Sequence, residues 1–382
     1  MNIASRVLSG LFCLAVLAGH GAHAGPRGGG SSFQVVGYVT DGAALPKITP
    51  DKLDVINFAF AHVGEDHRVI LSSTTATQRL RDLVELRHDN PLLKIVLSVG
   101  GWGAGNFSEA VADADARRAF VESSVELILA HDLDGLDIDW EYPTQPGPGI
   151  SHSPADRRNF SLLIEELRAR FDALGHERGR HYLLTIAAAD GEAARGLELA
   201  RIARSLDWIN LMSYDFYGSF EPLTGHHASL YRSASAAPGS RSALQGVDEF
   251  LHAGVPPRKL NLGVGFYARH FEEVEPGNHG LNRPYHKGGG YLSWQEVSSD
   301  YMHREGYVRY WDEQAKAPWL WSEKERHFIG YDDPQSLHAK AAFVRKKGLR
   351  GIMYWEHATD ANEELLDAVN AGLNRQMPES NR

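Results

Sequence analysis

Asp134-Gly135-Leu136-Asp137-Ile138-Asp139-Trp140-Glu141-Tyr142-Pro143 alternates acidic and apolar residues. On a β-strand successive side chains face opposite ways, so Asp137, Asp139 and Glu141 share one face while Leu136, Ile138 and Trp140 share the other. A closed parallel barrel suits such a strand. Its apolar face packs on surrounding helices, and its acidic face lies inside, near the C-terminal mouth where barrel enzymes hold their catalytic groups. Three carboxylates this close cannot all ionise cheaply. Burial and mutual repulsion raise at least one pKa, which a general acid at neutral pH requires. A calcium loop would place glycine mid-loop and polar residues between the ligands, whereas here Leu136, Ile138 and Trp140 intervene. A solvated acidic edge is opposed by the same apolar neighbours.

Outward from this decapeptide, short β-rich runs alternate with amphipathic helical stretches. The strand candidates are Gln34–Val39, Val55–Ala61, Lys94–Val99, Gly135–Trp140, Tyr182–Ala187, Trp208–Ser213, Lys259–Gly265 and Gly351–Trp355. Near-continuous apolar runs such as KIVLSV fit parallel strands buried on both faces. Between them, Phe120, Val121, Ser124, Val125, Ile128 and Leu129 trace a helical stripe. A second helix is expected to open with Ser153 as N-cap and Pro154 at the first position, carrying Phe160, Leu163, Ile164 and Leu167 inward. A third, Ser336 to Lys347, ends in basic residues with Gly348 beyond it. Eightfold alternation predicts an α/β fold, a (β/α)8 TIM barrel, with a doubly wound open sheet as the runner-up. The stretch from about 270 to 329, between the seventh and eighth strands, is too long for one connection and reads as a small α+β insertion on the catalytic face.

Residues 1–24 carry a short basic n-region, an apolar run over Val7–Leu17 and small residues at Ala22 and Ala24, the pattern of a signal peptide. Residues 25–32 form a flexible lead-in, 33–375 the catalytic barrel, and 376–382 a disordered tail. Secretion is therefore expected, to the exterior or to a periplasm. The apolar run is too short to span a bilayer, and no membrane partner is expected. Cys13 is the only cysteine, so stability must come from a large core, not from disulfides. The formal net charge of -10 argues against nucleic acid or an anionic polysaccharide as partner. No cofactor is expected, and no metal: adjacent His226 and His227 rarely converge on one ion, and neither CxxC nor HExxH occurs. A monomer is expected.

The acidic decapeptide resembles the DxxDxDxE signature of family 18 glycoside hydrolases, the chitinases, with Asp134, Asp137, Asp139 and Glu141 at its four acidic positions. The likeness extends to Ser98-Val99-Gly100-Gly101-Trp102 (SxGG), to Met212-Ser213-Tyr214-Asp215-Phe216 (MxYD), and to Leu223-Thr224-Gly225-His226-His227. It continues through Tyr331-Asp332-Asp333 and the strand ending at Trp355, spanning roughly Val35 to Val369. The resemblance implies cleavage of β-1,4 links in chitin or chitooligosaccharides with the substrate's own acetamido group as nucleophile, an exception to the two-carboxylate scheme.

By that resemblance Glu141 is the acid and then the base. Asp139 orients the acetamido group, Asp137 shares its proton from deeper in the barrel, Tyr214 donates to the acetamido oxygen, and Asp215 positions sugar or water. Trp355 would floor the pocket with Tyr38, Phe60 and Met212 around it, Trp102 would stack on the leaving-group side, and Tyr267 and Arg269 would donate hydrogen bonds. Asp134, of opposite strand parity, is assigned to structure, and Ser98 to support of the inner carboxylates. Phe220, Tyr217 and the short stretch Thr40–Lys47 depart from the family pattern and bear on subsites, not on the chemistry. Two alternatives stay open: an endo-β-N-acetylglucosaminidase acting on N-glycans, which the MxYD element and the insertion disfavour, and a non-catalytic chitin-binding lectin, which the presence of Glu141 disfavours.

Overall fold

The computed structural model describes residues 33–42 and 45–375; the expected signal peptide, lead-in and tail lie outside them. Fourteen strands run along the described chain: β1 (Gln34–Thr40), β2 (Val55–Val63), β3 (Val69–Ile70), β4 (Lys94–Gly100), β5 (Gly135–Asp139), β6 (Leu183–Ala188), β7 (Trp208–Leu211), β8 (Leu260–Gly265), β9 (Tyr267–Glu272), β10 (Lys287–Ser293), β11 (Val308–Asp312), β12 (Ala317–Ser322), β13 (His327–Gly330) and β14 (Gly351–Trp355). Strands β1, β2, β4, β5, β6, β7, β8 and β14 are parallel neighbours in that order, and β14 and β2 both pair with β1, which closes an eight-stranded barrel. All eight strands anticipated from the sequence are present, with ends shifted by a residue or two.

Two apolar layers hold the barrel. The outer one packs strand residues such as Leu97, Leu136, Ile138 and Leu184 against helix residues such as Phe120, Phe160, Leu163, Ile164 and Leu167. The inner one is smaller, with Val36, Val55, Val96, Trp208 and Met353 among its members. Trp208 is fully buried, and the Arg350 guanidinium lies 4.4 Å from its ring centroid. Above it the interior turns polar, with Asn57, Ser98, Asp137, Thr185, Asn210 and Asn261 all buried.

The helix expected to start at Ser153–Pro154 begins instead at Asp156 and runs to Arg178. Asp156 is buried, and its carboxylate accepts from Ser153 N (2.7 Å), Ser108 Oγ (2.7 Å) and Thr144 N (3.3 Å). Its side chain therefore tethers the preceding loop, and Ser153 is held outside the helix. The last large helix spans Pro334–Lys347, two residues longer at its start than expected, because Asp333 caps it with Ser336 in a reciprocal pair. Gly348 closes it in the left-handed region (φ 64°).

Between β8 and β14, strands β9 to β13 form a separate antiparallel sheet in the order β10-β9-β13-β12-β11. One face carries an apolar cluster of Phe271, Val274, Leu281, Trp319, Trp321 and Phe328. Strand β9 follows β8 after a single residue, so residues at its start reach the barrel mouth.

Candidate active site

The register of three neighbouring strands builds the floor. Ser98 on β4, Asp137 on β5 and Thr185 on β6 stand side by side in the ladder. Ser98 Oγ donates to Asp137 Oδ2 at 2.7 Å and Thr185 Oγ1 to Asp137 Oδ1 at 2.6 Å. The Tyr38 hydroxyl adds a third bond at 2.8 Å, and Asn210 Nδ2 approaches at 3.4 Å. Burial pushes the Asp137 carboxyl up, and these four donors pull it back.

One step nearer the mouth, Asp139 is buried and its Oδ1 has no hydrogen-bond partner. Burial, then the charges of Glu141 and Asp137, push its carboxyl well above the usual range. Glu141 lies just past the end of β5. Burial raises it to about 7, assisted by the Asp215 charge and opposed by a hydrogen bond from Tyr142. Trp140 faces outward, stacked on Phe107 at 5.3 Å with Phe160 edge-on at 5.6 Å. That packing holds the strand end from behind.

The turn after β4 lets these groups approach. Gly100 has φ 127°, and a Cβ there would fall 2.0 Å from the Asp139 carbonyl oxygen. At Gly101 a Cβ would come within 2.6 Å of the Phe60 ring. Side chains are excluded at both.

Tyr214 follows β7 and packs in the inner cluster with Met212, Phe60, Tyr142 and Trp355. Burial, then the Asp139 and Glu141 charges, raise its phenol well above the ordinary value, so it stays a donor. Asp215 is gripped by Arg269 from β9 through two bonds of 2.6 and 2.7 Å. Burial would raise its carboxyl, but His227 and Arg269 outweigh that and hold it ionised, well below the usual range. Phe60 stacks on Trp355 at 5.6 Å and 18°, and Tyr38 lies tilted against the same indole at 5.6 Å. Trp102 is 67% exposed, 6.4 Å from Tyr142. Tyr267 lies between Tyr214 (6.1 Å) and Tyr291 (4.7 Å), with Arg269 over its ring. The residues assigned to catalysis and sugar binding thus gather at one end of the barrel, with exposed Trp102 beside them.

Asp134 lies away from the cleft, paired with Arg87, Lys94 and Arg180 and accepting from Ile95 N at 2.9 Å. Tyr331-Asp332-Asp333 is structural too, with Asp333 capping a helix and Asp332 pairing with buried Lys340. The two adjacent histidines face different partners. His226 faces Asp312 (3.4 Å) and Trp319, while fully buried His227 lies 3.7 Å from Asp215 and against Tyr267. Thr185, Asn210, Tyr142 and His227 are site residues that sequence reasoning did not single out. Thr185 was within reach through strand register, whereas His227, though in a family-like segment, gave no sign of its contact with Asp215. The peptide bonds Ala59–Phe60, Glu141–Tyr142 and Trp355–Glu356 are cis, and none precedes proline.

A parallel barrel with a column of carboxylates at its mouth, Glu141 among them raised to about 7, beside an aromatic floor, defines a glycoside hydrolase. The chain belongs to the glycosyl hydrolases of family 18, whose sequence pattern matches residues 34–360. It is 38% identical to Chitinase A1 of Niallia circulans over 310 residues, 77% of this chain and 44% of that protein. It is 32% identical to Chitotriosidase-1 of Mus musculus, covering 85% of this chain and 73% of that one. Among solved structures, a family 18 N-acetylglucosaminidase from Paenibacillus barengoltzii superposes with a TM-score of 0.84 at 43% identity, covering 89% of this chain and 99% of its own. A group IV chitinase of Ostrinia furnacalis in complex with allosamidin gives 0.82 at 28% identity over 90% of this chain and 99% of that one.

Proposed function

We propose that this chain is a secreted chitinase that cleaves β-1,4-linked N-acetylglucosamine chains by substrate-assisted, retaining catalysis. The observation that carries the reading is the column Asp137–Asp139–Glu141, with Glu141 raised to about 7 and Asp139 Oδ1 without a partner inside the protein. Secretion rests on the N-terminal leader pattern; no helix among the described residues is long and apolar enough to cross a membrane.

Chemically, the acetamido carbonyl oxygen of the sugar over Trp355 attacks its own C1 as the glycosidic C1–O bond breaks. The proton of Glu141 passes to the departing oxygen. Asp139 shares a proton with Asp137; with that proton on Asp137 it accepts from the acetamido N–H and offsets the charge of the oxazolinium ion, while the Tyr214 hydroxyl steadies the acetamido oxygen before attack. Glu141, now a carboxylate, takes a proton from water, which attacks C1 and reopens the ring with the original β configuration. Asp137, held by four donors, couples to Asp139 through its charge.

A second reading, an enzyme that releases single N-acetylglucosamine units from a chain end, is favoured by the similarity at 43% identity to an enzyme named an N-acetylglucosaminidase. N-Acetylglucosamine hexasaccharide separates the two. Disaccharide and trisaccharide products with the β-anomer formed first support the chitinase; monosaccharide released from one end from the first minutes supports the exo enzyme. Binding without cleavage would leave a lectin. An untouched, unbound hexamer would move the search to N-glycans.

A further inference from the structure

On the far side of β9 from Arg269, the insertion gathers three metal-ligating side chains. Along β9, Tyr267, Arg269 and Phe271 point one way, and Ala268, His270 and Glu272 the other. The β9–β13 ladder pairs His270 with Ile329 and Phe271 with Phe328, so one step further His327 stands beside Glu272. Phe271 and Phe328 meet at 6.0 Å within the apolar cluster, which sends His270, Glu272 and His327 together to the opposite face. The two imidazoles lie 4.8 Å apart, edge to face, and each of the three residues offers a donor atom within 4.8 Å of the others. His270 Nε2 is buried with no hydrogen-bond partner, although the His270 side chain is only 12% exposed.

The surroundings fix one ring. The Tyr307 hydroxyl donates to Glu325 Oε2 at 2.7 Å, a carboxylate that only accepts. Tyr307 Oη must then accept from His327 Nδ1–H at 2.7 Å. A ring protonated on Nδ1 keeps its lone pair on Nε2, and such a chain of carboxylate, hydroxyl and histidine is how metal-ligating imidazoles are oriented.

We propose that His270, Glu272 and His327 bind a zinc ion, with water completing a four-coordinate shell and Tyr307 and Glu325 orienting His327 from behind. Two imidazoles and one carboxylate suit zinc and disfavour magnesium and calcium, which take oxygen ligands. Zinc–ligand bonds of about 2.0–2.1 Å draw the donors closer together. The 42% exposed Glu272 side chain has room to swing in. The ion would tie β9 to β13 behind the arginine that grips Asp215, as a structural brace with no ligand in the cleft. HxE followed by a distant histidine is no motif in the sequence; sheet pairing alone assembles the set.

The full chain, stripped with chelator, is titrated with zinc chloride by calorimetry, with thermal unfolding and cobalt absorption read in parallel. The wild type should take up one equivalent, unfold at higher temperature with zinc, and give the visible bands of four-coordinate cobalt. The double variant His270→Ala/His327→Ala should lose the site. Tyr307→Phe, which keeps every ligand and removes only the orienting hydroxyl, should bind zinc about 10–100-fold more weakly. The proposal is overturned if wild type and double variant bind zinc equally, or if zinc leaves the wild-type melting temperature unmoved. Should the double variant fail to fold, Tyr307→Phe decides alone: undiminished affinity there also overturns it.

Discussion

Glu141 holds a proton near neutrality because the protein surrounds it with little water and a negative neighbour, Asp215. The sign of its effect on stability follows. Its pKa is raised on folding, so its contribution is fully present below the unfolded value and is lost as pH rises through about 7. Glu141→Gln should therefore lower kcat by about 10²–10⁴-fold and yet raise the melting temperature at pH 8 by roughly 1–3 °C, with no gain at pH 4. A melting temperature that falls at pH 8 would mean that Glu141 is ionised and well solvated in the folded state. Asp215 acts on the same proton from a distance. Replacing it with Asn removes a charge that raises Glu141, so the alkaline limb of kcat/KM should move to lower pH, on top of any loss in rate. A limb that stays in place, measured across a full pH series, would show that burial alone sets the Glu141 proton.

At the scale of elements, the loop from β5 to the helix Asp156–Arg178 carries Glu141 and Tyr142, and Asp156 is its tether. Asp156→Ala should cost about 1–3 kcal/mol, since three partly buried N–H and O–H donors lose their acceptor. The kcat should fall several-fold while KM changes less, because the general acid, not the aromatic floor, is what the loop positions. Urea unfolding and steady-state kinetics on a soluble chitooligosaccharide check both; unchanged kcat would separate the tether from the catalytic loop. This element also marks how far sequence carries. The eight barrel strands were legible because runs such as KIVLSV are apolar on both faces, and the carboxylates of β5 because strand parity is fixed. The helix start was not, since an aspartate at a helix start reads as favourable to the dipole whether it faces solvent or turns back to hold a loop. Asp137's partners Thr185 and Asn210 escaped notice for a similar reason. A lone polar residue in an apolar run shows its partner only after register is known.

Across the whole molecule, the chain must join an antiparallel sheet to a parallel barrel without a disulfide, since Cys13 is the only cysteine. Part of that joint is Asp332, two residues past the end of β13, which pairs with Lys340 on the helix that leads to β14 and Trp355. Both side chains are essentially inaccessible to solvent. Ser336 Oγ donates to the same carboxylate at 2.6 Å. Burial pushes the Lys340 ammonium down and the Asp332 charge supports it, so neither partner is comfortable without the other. Lys340→Met leaves a buried carboxylate with one hydroxyl for company and should destabilise the fold by about 3–5 kcal/mol. The double change Lys340→Met/Asp332→Leu removes both desolvated charges and should recover much of that loss, because a matched apolar pair needs no compensation. Denaturant titrations of the single and double variants give the comparison directly. If the single variant lies within about 0.5 kcal/mol of wild type, the range of an ordinary surface change, the joint between sheet and barrel rests on the apolar packing of Tyr331 and Trp294 instead.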